Sequence, residues 1–186
     1  MCRERPSHKY VDTIKGKILL IGRAYSAAIE RKAGKDFNID SLVEALIVSD
    51  IDQMISKLSE INRPSFDNAH EICRYHAVVT QIFKKFTNLD KRSLASKYLH
   101  FHAPKSVFIY DQIAVRALSK EVKSGKKSFN KLNFDYLDCD VSYANFFLRC
   151  IKFRDAKEQE IGQLITPRKL DGMLLNYSTG ATPCHA

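Results

Sequence analysis

The chain has 186 residues, a mass of 21.3 kDa and a formal charge of +9, with 45% hydrophobic and 27% charged residues. That size suits one domain, with room for two lobes, and the composition excludes a disordered or fibrous chain. No window holds the roughly eighteen uninterrupted apolar residues of a membrane span, and "MCRERPSHKY" has no apolar stretch behind it, so a cytoplasmic protein without a membrane partner is expected.

Five cysteines, at 2, 73, 139, 150 and 184, are odd in number and form no CxxC pair. This predicts reduced thiols and no zinc cluster. The rings of "HFH", residues 100–102, point about 200° apart on a helix. Neither a metal nor a cofactor is expected.

In chain order, residues 1–10 read as a mobile end. "GKILLIG", residues 16–22, looks β-prone. Gly22 then leads into a short helix carrying Arg23, Tyr25, Glu30 and Arg31. These side chains suit either a nucleotide pocket or a solvated helix end. The lone glycine makes no phosphate loop, because neither GxxxxGK[ST] nor GxGxxG occurs. Residues 41–61 carry apolar residues at three- and four-residue steps behind a Ser41 cap with Glu44 three places on, which predicts one helix. A second helix starts near Asp67, and a third runs from about 91 to 102 and stops at Pro104.

"SVFIY", residues 106–110, is the other β-prone run and feeds Asp111 at the start of a helix over 112–123. A Gly/Lys loop follows at 124–128. "SYANFFLRCIKFRDAKEQEI" predicts a long helix. Pro167 opens a last one, which Gly180 closes before a mobile tail at 179–186. No repeat or low-complexity tract divides the chain. The expected fold is all-α, a compact bundle of six to eight helices.

Charge is concentrated. Between residues 91 and 131 ten Lys or Arg face two acids, a balance of +8, so the remainder is almost neutral. Such a field suits a polyanion, most simply DNA or RNA. A lysine-rich loop that merely keeps the chain soluble is the plainer alternative.

The segment "KRSLASKYLHFHAPKSVFIYDQIAVRAL", residues 91–118, resembles the core of the helix-hairpin-helix-GPD superfamily of DNA glycosylases. Asp111 matches the family's aspartate at a helix start, Arg116 the residue five places later, and Ala95 the small residue of the preceding helix. The family's catalytic lysine position is Ser93, and its glycine-rich hairpin is replaced by "FTNLDKRS". The "LIGRAY" and "ASKYLHF…IYD" blocks are also similar to small bacterial proteins, and some glycosylase-like proteins of that kind are connected with defence against phages whose DNA carries modified bases.

The resemblance implies a monofunctional DNA glycosylase active in DNA repair or antiviral defence, with DNA as partner. Asp111 would stabilise the sugar cation formed as the base leaves, or activate water. Lys97, one turn beyond Ser93, is a reserve nucleophile or phosphate contact. Arg92, Ser93, Lys105, Arg116, Lys120, Lys123, Lys126 and Lys127 are candidates for nucleic-acid binding. Tyr25, Tyr98, His102 and Tyr110 are candidates to stack on or hydrogen-bond to a base, and Gln112 to orient water. Three alternatives stay open: Asp111 as a helix cap only, a non-catalytic nucleic-acid-binding module, and a helical protein-interaction domain.

Overall fold

A computed structural model describes residues 1–122 and 134–179 and shows an all-α bundle, with eight helices and no strand among the described residues. They are α1 (Val11–Ala24), α2 (Ile39–Ile47), α3 (Ile51–Glu60), α4 (Phe66–Thr87), α5 (Arg92–His102), α6 (Gln112–Glu121), α7 (Val141–Ile161) and α8 (Pro167–Thr179). Buried side chains from all eight join in one apolar cluster. The 22-residue α4 lies against α2, α3, α5 and α7, while α6 is held between α7 and α8.

Where the sequence suggests a β-prone "GKILLIG", the structure has the middle of α1. Ile14, Ile18 and Ile21 recur at four- and three-residue steps and are buried, whereas Leu20 faces solvent. A seven-residue window hides this period, which the fourteen-residue helix makes plain. The short helix expected after Gly22 is absent: the chain turns, with Ser26 at φ 53° and Lys32 at φ 62°. Gly22 permits that return. A Cβ there would lie 3.0 Å from the Ala28 Cα, and the Gly22 carbonyl accepts the Ala27 N–H at 2.7 Å.

The single helix expected over 41–61 is two helices. Leu42 and Leu46 are buried in α2, but the next buried position is Ile51, five residues on, before Met54, Ile55 and Leu58 resume the helical step. That slip of phase requires a break. Ser49 Oγ makes it by donating to the Leu46 carbonyl at 2.8 Å, a local bond that competes with helix continuation. The cap of α2 is Asn38 rather than Ser41, its side chain accepting from the Asp40 and Ser41 N–H groups.

Ser106 closes a turn, its N–H donating to the Ala103 carbonyl at 3.2 Å, and residues 107–110 belong to neither helix nor strand. Side chains replace the ladder: the Tyr110 N–H donates to Ser96 Oγ at 2.9 Å, His100 Nδ1 to the Val107 carbonyl at 2.7 Å, and the Tyr143 hydroxyl to the Phe108 carbonyl at 3.0 Å. Each bond satisfies a buried backbone group, so the segment is fixed without a sheet. Asp111 leaves it at a defined point.

The N-terminal segment is pinned to the bundle by a polar chain in which His8, Tyr98 and His102 are buried and Asp52 reaches solvent. His8 Nδ1 donates to Asp52 Oδ1 at 2.6 Å, the Tyr98 hydroxyl donates to His8 Nε2 at 2.7 Å, and His102 Nδ1 donates to the Tyr98 carbonyl at 2.9 Å. Tyr98 and His102 are therefore interior groups, their rings tilted against each other at 4.8 Å, rather than exposed base contacts. Burial pushes His102 down to about 3 and His76 down to about 4, and it also lowers His8.

A folded-state value below the ordinary histidine value means that the unfolded chain takes up more protons as pH falls. The stability these rings confer is complete above about pH 6.5 and is lost as pH falls toward their folded values. The melting temperature is expected to drop steadily from pH 7 to pH 5. A flat profile across that window would contradict the buried, neutral assignment.

Candidate active site around Asp111

Asp111 is the N-cap of α6, with φ −138° and ψ 145°, and its Oδ1 accepts the Ile113 N–H at 2.8 Å. The helix-cap reading is thus correct as far as it goes, but it uses only one carboxylate oxygen. The other, Oδ2, accepts from Lys97 Nζ at 3.4 Å. Lys97 also donates to Ser93 Oγ at 2.9 Å and to the Tyr25 carbonyl at 3.1 Å.

Lys97 is 3% exposed, whereas the Asp111 side chain is 30% exposed. The arrangement is a buried ammonium behind a carboxylate that reaches solvent. Tyr25 caps the C-terminal end of α1, where free carbonyls and the helix dipole favour a cation. One lysine thereby joins the end of α1, the first turn of α5 and the start of α6. Its three hydrogen bonds hold the ammonium in place from three segments of the chain.

The last helix adds a second acid. Asp171 on α8 is buried and accepts from Arg168 Nη1 at 2.9 Å. Burial pushes the Asp171 carboxyl up, against the pull of Arg168 and Lys97, and the charge of Asp111 adds to the rise. The Arg168 guanidinium lies 5.8 Å from the centre of the Tyr25 ring, which packs on Phe101 at 4.9 Å. Sequence reasoning brings Asp111, Lys97, Ser93 and Tyr25 to this place and misses Asp171 and Arg168. The usable signal is in "TPRKLD": a proline-started helix with Arg and Asp three residues apart, on one face.

The remaining candidates stand elsewhere or do other work. Arg23, in the last turn of α1, pairs at 3.7 Å with Glu30 in the turn that follows. Arg92 Nε donates to Asp140 at 2.5 Å, tying α5 to the start of α7. The Tyr110 ring packs against Phe146 at 5.1 Å, leaving little of it to meet a base. Gln112 is exposed beside Asp111. Lys105 is exposed and contacts Asn62 at 3.3 Å. Arg116 and Lys120 stand exposed on α6 without a partner among the described residues. Lys123, Lys126 and Lys127, like Gly180, lie outside the described residues.

Two small pockets flank the Lys97 cluster. One of about 310 Å³ is lined by Ala28, Arg31, Lys32, Lys91 and Ser93. The other, of about 490 Å³, is lined by Leu20, Ala24, Tyr25 and Phe101 among others. A larger groove of about 1110 Å³ lies between α3, α4 and the start of α7, and neither Asp111 nor Lys97 lines it. Neither Asp111 nor Lys97 lines the two smaller pockets either; Ser93 lines one and Tyr25 the other, so those two border the cluster, whereas none of the four residues reaches the groove.

Among the described residues no three His, Cys, Asp or Glu side chains stand close enough to hold a metal ion, and no helix is long and apolar enough to cross a membrane. No family model matches the chain, and neither does any curated protein or solved structure.

Proposed function

We propose that this protein hydrolyses the N-glycosidic bond of a modified or damaged base in DNA, as a monofunctional glycosylase-like enzyme of the cytoplasm, serving repair or defence against phage DNA. The observation that carries the reading is the Lys97–Asp111 pair: a buried ammonium holds a partly exposed carboxylate at a helix start. The resemblance of residues 91–118 and the concentration of positive charge support it.

In this reading the bond between the sugar C1′ and the base nitrogen breaks, and its electron pair leaves with the base, which takes a proton from solvent. Asp111 faces the cationic sugar and lowers the barrier electrostatically. A water molecule adds to C1′ and gives its proton to Asp111, which returns it to solvent. One water is consumed and one hydroxyl appears on the sugar. Lys97 acts through Asp111, as a positioning residue. With Ser93 in place of the family's lysine, no covalent enzyme–sugar adduct forms and the strand stays intact.

The test is incubation with duplex and single-stranded DNA carrying damaged or hypermodified bases, with released base identified by mass spectrometry. Release that leaves an unbroken strand with an abasic site is expected. Salt-sensitive binding with no release from any substrate would overturn the enzyme and favour a binding module, to which the exposed Arg116 and Lys120 would contribute phosphate contacts.

A further inference from the structure

Arg168 and Asp171 form a pair whose two members differ sharply in exposure. The Arg168 side chain is 57% exposed and that of Asp171 7%. An ordinary surface ion pair at this spacing contributes little to stability, because water screens both charges. Here the acid is taken out of water, and burial opposes its ionisation while Asp111 adds like charge. A neutral amide would fill the same space without that cost. Stability therefore does not account for an aspartate at this position.

What the aspartate does is hold an arginine. Its Oδ2 takes one guanidinium nitrogen at 2.9 Å, and the Tyr25 ring lies 5.8 Å from the guanidinium carbon. A guanidinium has five N–H donors, so a single bond to Asp171 leaves a fork free. The group is fixed from two sides, faces solvent, and stands over the residue whose carbonyl receives Lys97. Such a preorganised fork matches the two oxygens of a phosphate.

We propose that Arg168, aimed by Asp171, is the anion-binding arm of this site and takes a backbone phosphate beside the nucleotide that faces Asp111. The inference rests on the reading that the site receives DNA. Arg168 touches the substrate; Asp171 is a positioning residue that acts through it. α8 is thus part of the site rather than a packing element at its back.

Fluorescence anisotropy with a labelled oligonucleotide carrying a stable abasic analogue, measured across a salt series, tests this in the full-length protein. Arg168→Gln and Asp171→Asn are each expected to weaken binding by about tenfold, and Arg168→Gln to reduce the salt slope by about one. The double variant is expected to lose no more than either single one, because both changes remove one arm. The melting temperature of Asp171→Asn is expected to hold or rise. Binding unchanged in both variants, or a lower melting temperature for Asp171→Asn without loss of affinity, would overturn the proposal. Arg168→Gln, on an exposed side chain, keeps the test decisive if the other variant folds poorly. Binding that depends on Arg168 without base release would sink the enzyme reading alone, and base release with binding indifferent to Arg168 would sink the arm alone. Absence of salt-sensitive binding by the wild-type protein would sink both.

Discussion

Arg154→Ala is expected to lower stability by about 3 kcal/mol. The side chain is 2% exposed and is among the largest that are fully buried. Its Nη1 donates to the Pro64 carbonyl at 2.7 Å, Nε and Nη2 both meet Asp155 Oδ1, and the guanidinium carbon lies 5.9 Å from the centre of the Phe108 ring. Truncation leaves the carbonyl without its donor and opens a cavity beside Phe108. The Asp155 contact adds little, because that acid is 42% exposed and also holds Arg63. Urea titration is the check: the midpoint falls while the denaturant slope is unchanged. A loss under about 1 kcal/mol would mean that the site collapses around the smaller residue. Phe108 lies three residues before Asp111, so the same change is expected to loosen the acid's position.

Lys97→Met keeps the unbranched apolar stem of the side chain and removes the ammonium. The Tyr25 carbonyl and Ser93 hydroxyl lose their donor and Asp111 loses its partner. A destabilisation of about 2 kcal/mol follows from the unpaired groups. Base release is expected to fall by about a hundredfold, the scale of losing one preorganised electrostatic contact. Turnover equal to that of the wild type, at temperatures where the variant is folded, would remove Lys97 from the site and leave it a structural pin.

Where neighbours in sequence are neighbours in space, the reading succeeds. Pro104 ends α5, the non-helical run 107–110 delivers Asp111, and the aspartate caps α6 as its type prefers. The four-residue step from Ser93 to Lys97 brings those two side chains into contact. The break between α2 and α3 was not legible, because Ile47 and Val48 stand four and three residues before Ile51 and keep the helical spacing in sequence; only their burial shows that the buried face slips from Leu46 to Ile51. The contacts that stayed hidden join distant segments. Asp52 reaches His8 across 44 residues, and Arg154 reaches Pro64 across 90. Asp171 meets the charges of Lys97 and Asp111 only because α6 packs on α8. Periodicity says which face of α8 is buried, and only packing says what it is buried against.

Asparagine caps a helix as well as aspartate does, so Asp111→Asn separates the two roles of this residue. The decisive measurement is the single-turnover rate of base release at saturating DNA, wild type against Asp111→Asn. The account predicts a fall of at least about a thousandfold, the upper range for losing one electrostatic group at a reacting centre, with a melting temperature close to that of the wild type. Equal rates in the two proteins would contradict it and leave Asp111 a helix cap held by a lysine.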